Sequence, residues 1–108
     1  MTRYPCPYLR GEVELTEERQ QHIAERHPDL FPHYRDRIAE TVCDPDQVRR
    51  SLRFGSARLF SRWYTDIRKG KHVVVVVVSE LDPTERHWII TAYMARELSE
   101  GDVEWKRD

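Results

Sequence analysis

Long apolar runs are scarce in this chain of 108 residues, and the longest, Val73 to Val78, is far below the ~20 residues that carry a helix across a bilayer. No apolar stretch follows the basic residue in Met1-Thr2-Arg3-Tyr4-Pro5-Cys6-Pro7, so neither secretion nor membrane insertion is indicated. Cysteine is limited to Cys6 and Cys43, with no CxxC pair and no framework of four or six. A reduced, cytoplasmic setting is therefore expected, with a Cys6–Cys43 disulfide left open. The HExxH pattern is missing as well, and His22 and His27 are five apart, which turns them away from each other on a helix, so no metal and no cofactor is expected. Internal repeats and low-complexity linkers are also missing, and 13.0 kDa suits one domain over residues 1–108.

A charge excess is lacking too. The formal net charge of -1 argues at first against a nucleic-acid partner, because phosphate binding depends on Lys and Arg displacing counterions. The distribution changes that reading. Residues 1–48 hold six Arg against ten acidic residues, residues 49–71 hold eight Lys and Arg against Asp66 alone, and residues 72–108 hold four against eight. Such asymmetry points to a localised anion-binding surface, or else to arginines that decorate exposed strands and pair with the acidic flanks.

What is present reads as an α+β domain. Residues 1–15 form an irregular hairpin or an extended arm, because Pro5 and Pro7 interrupt a hydrogen-bond ladder and Leu9-Arg10-Gly11 reads as a turn. Residues 16–43 hold two helices. Thr16 caps the first, Glu17 and Glu18 suit its positive end, and Pro28 stops it. Tyr34, Ile38 and Val42 mark the buried stripe of the second. Residues 47–95 read as an antiparallel meander of about four strands, at 47–53, 57–64, 72–80 and 87–95, with turns at Gly55, Gly70 and Asp82-Pro83. Six consecutive valines cannot alternate inside with outside, so that strand is expected at the sheet centre or covered on both faces. Residues 96–108 form a tail in which Val103-Glu104-Trp105 makes a last short strand or packs its tryptophan on the core.

Four short pieces occur in order: His22-Ile23-Ala24-Glu25-Arg26-His27-Pro28, Thr41-Val42-Cys43-Asp44-Pro45-Asp46-Gln47-Val48, Phe60-Ser61-Arg62-Trp63-Tyr64, and Ile89-Ile90-Thr91-Ala92-Tyr93. Their order and spacing resemble the phage and toxin branch of the barnase/EndoU/colicin/RelE group of ribonuclease-like domains. The resemblance implies two helices followed by an antiparallel sheet, and metal-independent attack of a ribose 2′-OH on the adjacent phosphate to leave a 2′,3′-cyclic phosphate. It further implies RNA as partner, tRNA among the candidates, with an antitoxin or inhibitor protein to restrain it.

That chemistry needs a base of near-neutral pKa, cationic donors for the charge gathering on phosphorus, and an acid for the departing oxygen. Histidine suits both proton transfers. His22 shares a helix face with Arg26 and is the favoured base or acid, with His27, on the face of Ile23, as the alternative. Arg58 and Arg62 share one face of their strand with Phe60 and Tyr64, whereas His87, Ile89, Thr91 and Tyr93 share one face of theirs. If both sets meet on one side of the sheet, Arg62 with Thr91 and Tyr93 completes a catalytic group, and Arg58, Arg53 and Lys71 serve as phosphate contacts. No carboxylate is evident in the sheet to pair with these arginines. A module that binds RNA or protein without turnover is the competing expectation.

Overall fold

A computed structural model describes residues 1–53 and 55–108. The elements are β1 (Thr2–Cys6), a 3-10 turn (Pro7–Leu9), β2 (Gly11–Leu15), α1 (Glu17–Arg26), α2 (Arg35–Cys43), β3 (Gln47–Arg50), β4 (Ala57–Tyr64), β5 (Lys71–Glu80), β6 (Arg86–Ala95) and β7 (Asp102–Lys106). The α+β class stands, but the expected sheet of about four antiparallel strands is wrong. The strands form one mixed sheet of seven in the order β1-β2-β6-β5-β4-β3-β7, and the meander is only its middle.

Three strands extend the meander: β1 and β2 form a hairpin and β7 a last short strand, both among the alternatives open from sequence, but local pattern does not show that they join the same sheet. β1 tolerates Pro5 because it is an edge strand, where a missing N–H breaks no central ladder. β2 touches β6 in parallel through one pairing, Glu14 with Trp88, a contact between residues too distant in sequence for any periodicity to reveal. β7 is exposed at all five positions and pairs antiparallel with β3 across a bulge, so it shows no alternation of apolar and polar side chains.

The helices follow local rules. Thr16 Oγ1 accepts the Arg19 N–H at 3.2 Å, Glu17 and Glu18 occupy the first turn of α1, and the His27 N–H closes the last turn on the Ile23 carbonyl. In α2 the buried residues are Ile38, Thr41 and Val42. Both helices contribute to a main core with Phe60, Tyr64, Val73, Val75, Val77 and Ile89, where each large apolar side chain gains about 1.5–3 kcal/mol on burial.

The opposite, outer face of the sheet has a smaller cluster of Ala57, Leu59, Val74 and Val76, with Leu98 packed against it. The valines of β5 thus serve both faces, and β5 lies at the centre of the sheet. Between Ala95 and Asp102 the chain passes from β6 to β7, at the far edge, and so crosses this outer face. Gly101 ends the crossing with φ +91°, and a Cβ there would lie 2.7 Å from the Arg50 carbonyl oxygen and 3.3 Å from Arg49 Cβ.

Candidate functional site

A bulge in β6 decides which side chains meet. Val77 pairs with Ile89 but Val76 pairs with Thr91, so Ile90 is an extra residue and the strand changes face there. His87 and Ile89 stay on the helix side, whereas Thr91 and Tyr93 turn to the outer face beside Val76 and Val74. On β4, Phe60 and Tyr64 belong to the helix-side core, which carries Arg58 and Arg62 with them by the two-residue period. Arg58 and Arg62 therefore do not join Thr91 and Tyr93.

The outer face gathers a different set. β2 leaves β6 after its single pairing, and α1 runs beside the freed edge, where Arg19 donates to the Ile90 carbonyl at 3.4 Å. Ile23 is buried, so His27 four residues on points the same way, and its ring lies 6.0 Å from that of Tyr93. Among the described residues no hydrogen bond or ring contact joins His22, one position back, to Tyr93 or Thr91, and Arg26 is exposed. Burial pushes the His27 imidazole below its ordinary value of 6.5, with Asp29 opposing and His22 and Arg26 reinforcing. Burial pushes the Tyr93 phenol up, Glu100 adds to it, and Arg49 and Arg53 pull it back. Those last effects bring both arginines into the neighbourhood of Tyr93.

Arg49 is the residue that sequence reading missed. Its neighbour Val48 faces the helices, so Arg49 faces outward, yet it is only 6% exposed because the crossing segment ends on it. Among the described residues its guanidinium has no hydrogen bond and no ion pair. Ser61 Oγ and Thr91 Oγ1 are buried without a described partner. Through Val74, Ser61 is aligned with Tyr93, and through Val76 and Leu59, Thr91 is aligned with Arg49. Native interiors rarely leave polar groups unpaired, and here two buried hydroxyls without a described partner lie on the same face as the unpaired Arg49. The alternation Val48-Arg49 was the available signal for Arg49.

The helix side is the contrast. Arg58 and Arg50 both bind Glu104, with Nε to carboxylate distances of 2.7 and 3.1 Å, and Tyr8 donates to the same carboxylate at 2.6 Å. The carboxylate partner that the sequence did not reveal is thus Glu104, brought to this face by the β7 bulge. Burial would raise Glu104, but the bonds from Tyr8 and Arg58 and the charges of Arg58 and Arg50 outweigh it and hold the carboxyl low. Burial and the bond to Glu104 push the Tyr8 phenol up to about 12. Arg58 and Arg50 line a cavity of about 360 Å³ with Ser79 and His87, whose ring nitrogens contact Ser79 Oγ at 2.6 Å and Glu85 at 2.9 Å. Every charged group of this cluster already has a partner inside the chain.

The remaining expected phosphate contacts are scattered. Arg62 is held by the carbonyl and carboxylate of Asp44 at 3.1 and 3.3 Å, near the end of α2. Lys71 opens β5 opposite Tyr64, at the other end of β4 from Arg58. Arg53 is exposed in the β3–β4 connection, on the Tyr93 side. Comparison with family models, curated protein sequences and solved structures finds no match to this chain. No described helix is long and apolar enough to cross a membrane.

Proposed function

We propose that the chain is a metal-independent endoribonuclease-like domain whose working face is the outer side of the sheet. One observation carries the reading: Arg49, 6% exposed and with no hydrogen-bond or ion-pair partner among the described residues, lies on the face where His27, Tyr93, Thr91 and Ser61 assemble. A phosphodiester supplies what these groups lack. Arg49, with Arg53 at the rim, takes the phosphoryl oxygens, and the hydroxyls of Thr91 and Ser61 donate to them. His27, held neutral near pH 7 by its burial, accepts the 2′-proton as the 2′-oxygen attacks phosphorus. The bond to the 5′-oxygen breaks as that oxygen gains a proton, and the Tyr93 phenol, held protonated, donates toward it. RNA, tRNA included, is the substrate class, in a cytoplasmic setting with an antitoxin or inhibitor protein as restraint.

A second reading, RNA binding without turnover, is favoured by Leu98, which packs on Leu59, Val74 and Val76 and narrows access to this face. Incubation of the purified protein with tRNA and single-stranded RNA in excess EDTA, beside His27→Ala, His22→Ala and Arg49→Met, separates the two. Cleavage to cyclic-phosphate ends, kept in His22→Ala and lost in the other two, is the expected result. RNA that is bound but intact in every sample selects the binding module, and RNA neither bound nor cut refutes the proposal.

A further inference from the structure

The outer face continues beyond Tyr93 to an exposed aromatic that the proposed chemistry does not use. Trp63 on β4 is paired with His72 on β5, and the two rings meet edge to face at 4.8 Å. Leu59 and Ala57 of the same strand belong to the outer cluster, which fixes Trp63 on that side. Although 41% exposed, the indole is pinned: its six-membered ring lies so close to Gly70 that a Cβ there would be 2.3 Å from Cζ2. An exposed tryptophan held in one orientation is a prepared stacking surface, since little rotamer freedom remains to be lost on binding.

Cations surround it. Arg68, Lys69 and Gly70 have φ of +41°, +67° and +103°, three consecutive left-handed residues of which two carry side chains and positive charge. Non-glycine residues adopt this conformation uncommonly and at a cost, and runs of it occur where a local arrangement is needed. The turn delivers Lys69 to a cavity of about 340 Å³ that it shares with Trp63, Arg96 and Glu97. Trp63 is two strands and two residues from Tyr93, about 12 Å from strand spacing and rise.

We propose that Trp63, Lys69 and Arg96 form a subsite for one unpaired nucleobase and its phosphate, the base stacked on the indole and the phosphate held by the two cations. The subsite rests on the reading of the outer face as an RNA surface, and it makes the substrate single-stranded on that side of the reacting phosphate. Duplex RNA cannot present a free base face to the indole.

The test uses binding alone, with a 2′-O-methyl single-stranded oligonucleotide that cannot be cut, so that it stands whether or not the domain is a catalyst. Stacking is worth about 1–3 kcal/mol per base, so Trp63→Ala should weaken binding by roughly 5- to 150-fold, and Trp63→Phe should recover most of the loss. An oligonucleotide of abasic sites should bind the unaltered protein as weakly as the normal one binds Trp63→Ala, and this arm needs no variant to fold. Lys69→Ala with Arg96→Ala should reduce affinity while keeping the preference for bases. Equal affinity for abasic and normal strands, or for duplex and single strand, overturns the subsite. Loss of cleavage with base-dependent binding retained would instead refute only the catalytic reading.

Discussion

Replacing Arg49 by Met should make the protein more stable and less functional at once. Arg49 is 6% exposed as a residue, and its guanidinium, with no carboxylate or hydrogen-bond partner among the described residues, keeps contact with solvent but has given up part of its hydration without compensation. The effective penalty for burying an ion is several kcal/mol, and methionine keeps a similar apolar stem while discarding the charge. Allowing for the hydration that remains, for lost packing and for distant attraction to Asp46 and Glu100, whose charges act on the same neighbours, the net gain should be about 1 kcal/mol. In a domain of this size that is on the order of 4–6 °C in Tm. Urea unfolding at neutral pH, with an unchanged m-value, and a thermal melt give the two measurements. RNA binding and cleavage by the same preparation should fall, since the charge that strains the fold is the one that meets the phosphate. A midpoint lower than that of the unaltered protein would refute the argument, because Arg49 would then be a satisfied structural residue. Greater stability with undiminished cleavage would separate the strain from the chemistry and remove Arg49 from the site.

Acid should reveal the two partly buried histidines. Burial holds both His27 and His72 below 6.5, so the unfolded chain takes up protons first as pH falls; stability is full above about pH 6.5 and is lost as pH drops toward the folded values. Urea midpoints from pH 7 to 5 should show this decline, flattened in His27→Asn with His72→Asn, and the acid limb of kcat/KM should lie below the ordinary histidine value. Glu104→Gln leaves Arg50 and Arg58 without their carboxylate and should cost about 1–3 kcal/mol in urea, while the Tyr8 titration moves down from about 12 in an alkaline absorbance scan. An unchanged midpoint would mean that the cluster only decorates the surface. Gly70→Ala, with its Cβ against Trp63 and φ at +103°, should destabilise by at least about 1 kcal/mol, and adding Trp63→Ala should restore only the part due to the clash. Strictly additive losses would show that the ring yields freely.

Much of the middle of the chain was legible because its signals are local. Thr16 as cap, Pro28 as stop, the Ile38 and Val42 stripe and the strand boundaries near 57–64 and 71–80 each depend on neighbours within a few residues. The hairpin over residues 1–15 and the last short strand were readable as alternatives, but their place in one sheet was not, because the β2–β6 and β3–β7 pairings join residues far apart in sequence. The site divides along the same line. Placing Thr91 and Tyr93 on one face holds locally, but joining them to Arg58 and Arg62 assumed an unbroken alternation through β6, and the extra residue at Ile90 reverses it. The bulge in β7 similarly concealed Glu104.

Following the basic segment into the fold turns its charge asymmetry into a count of phosphate contacts. Arg50 and Arg58 are neutralised by Glu104 and Arg62 by Asp44, all on the helix side, so these three are not available to a polyanion without breaking ion pairs. Arg49, Arg53 and Lys69 have no such partner among the described residues, and with Arg96 they border the outer face. Counterion release from a single strand gives a slope of about -0.7 per neutralised phosphate in a plot of log K against log salt, so four contacts predict about -3 and all seven about -5. Titrating the uncuttable single strand across a range of salt should therefore give the shallower slope, reduced by roughly 0.7 in Lys69→Ala and unaltered in Arg58→Ala. A slope near -5 that falls in Arg58→Ala would move the RNA to the helix side, onto the Arg50 and Arg58 cavity, and would mean that Glu104 is displaced when the strand binds.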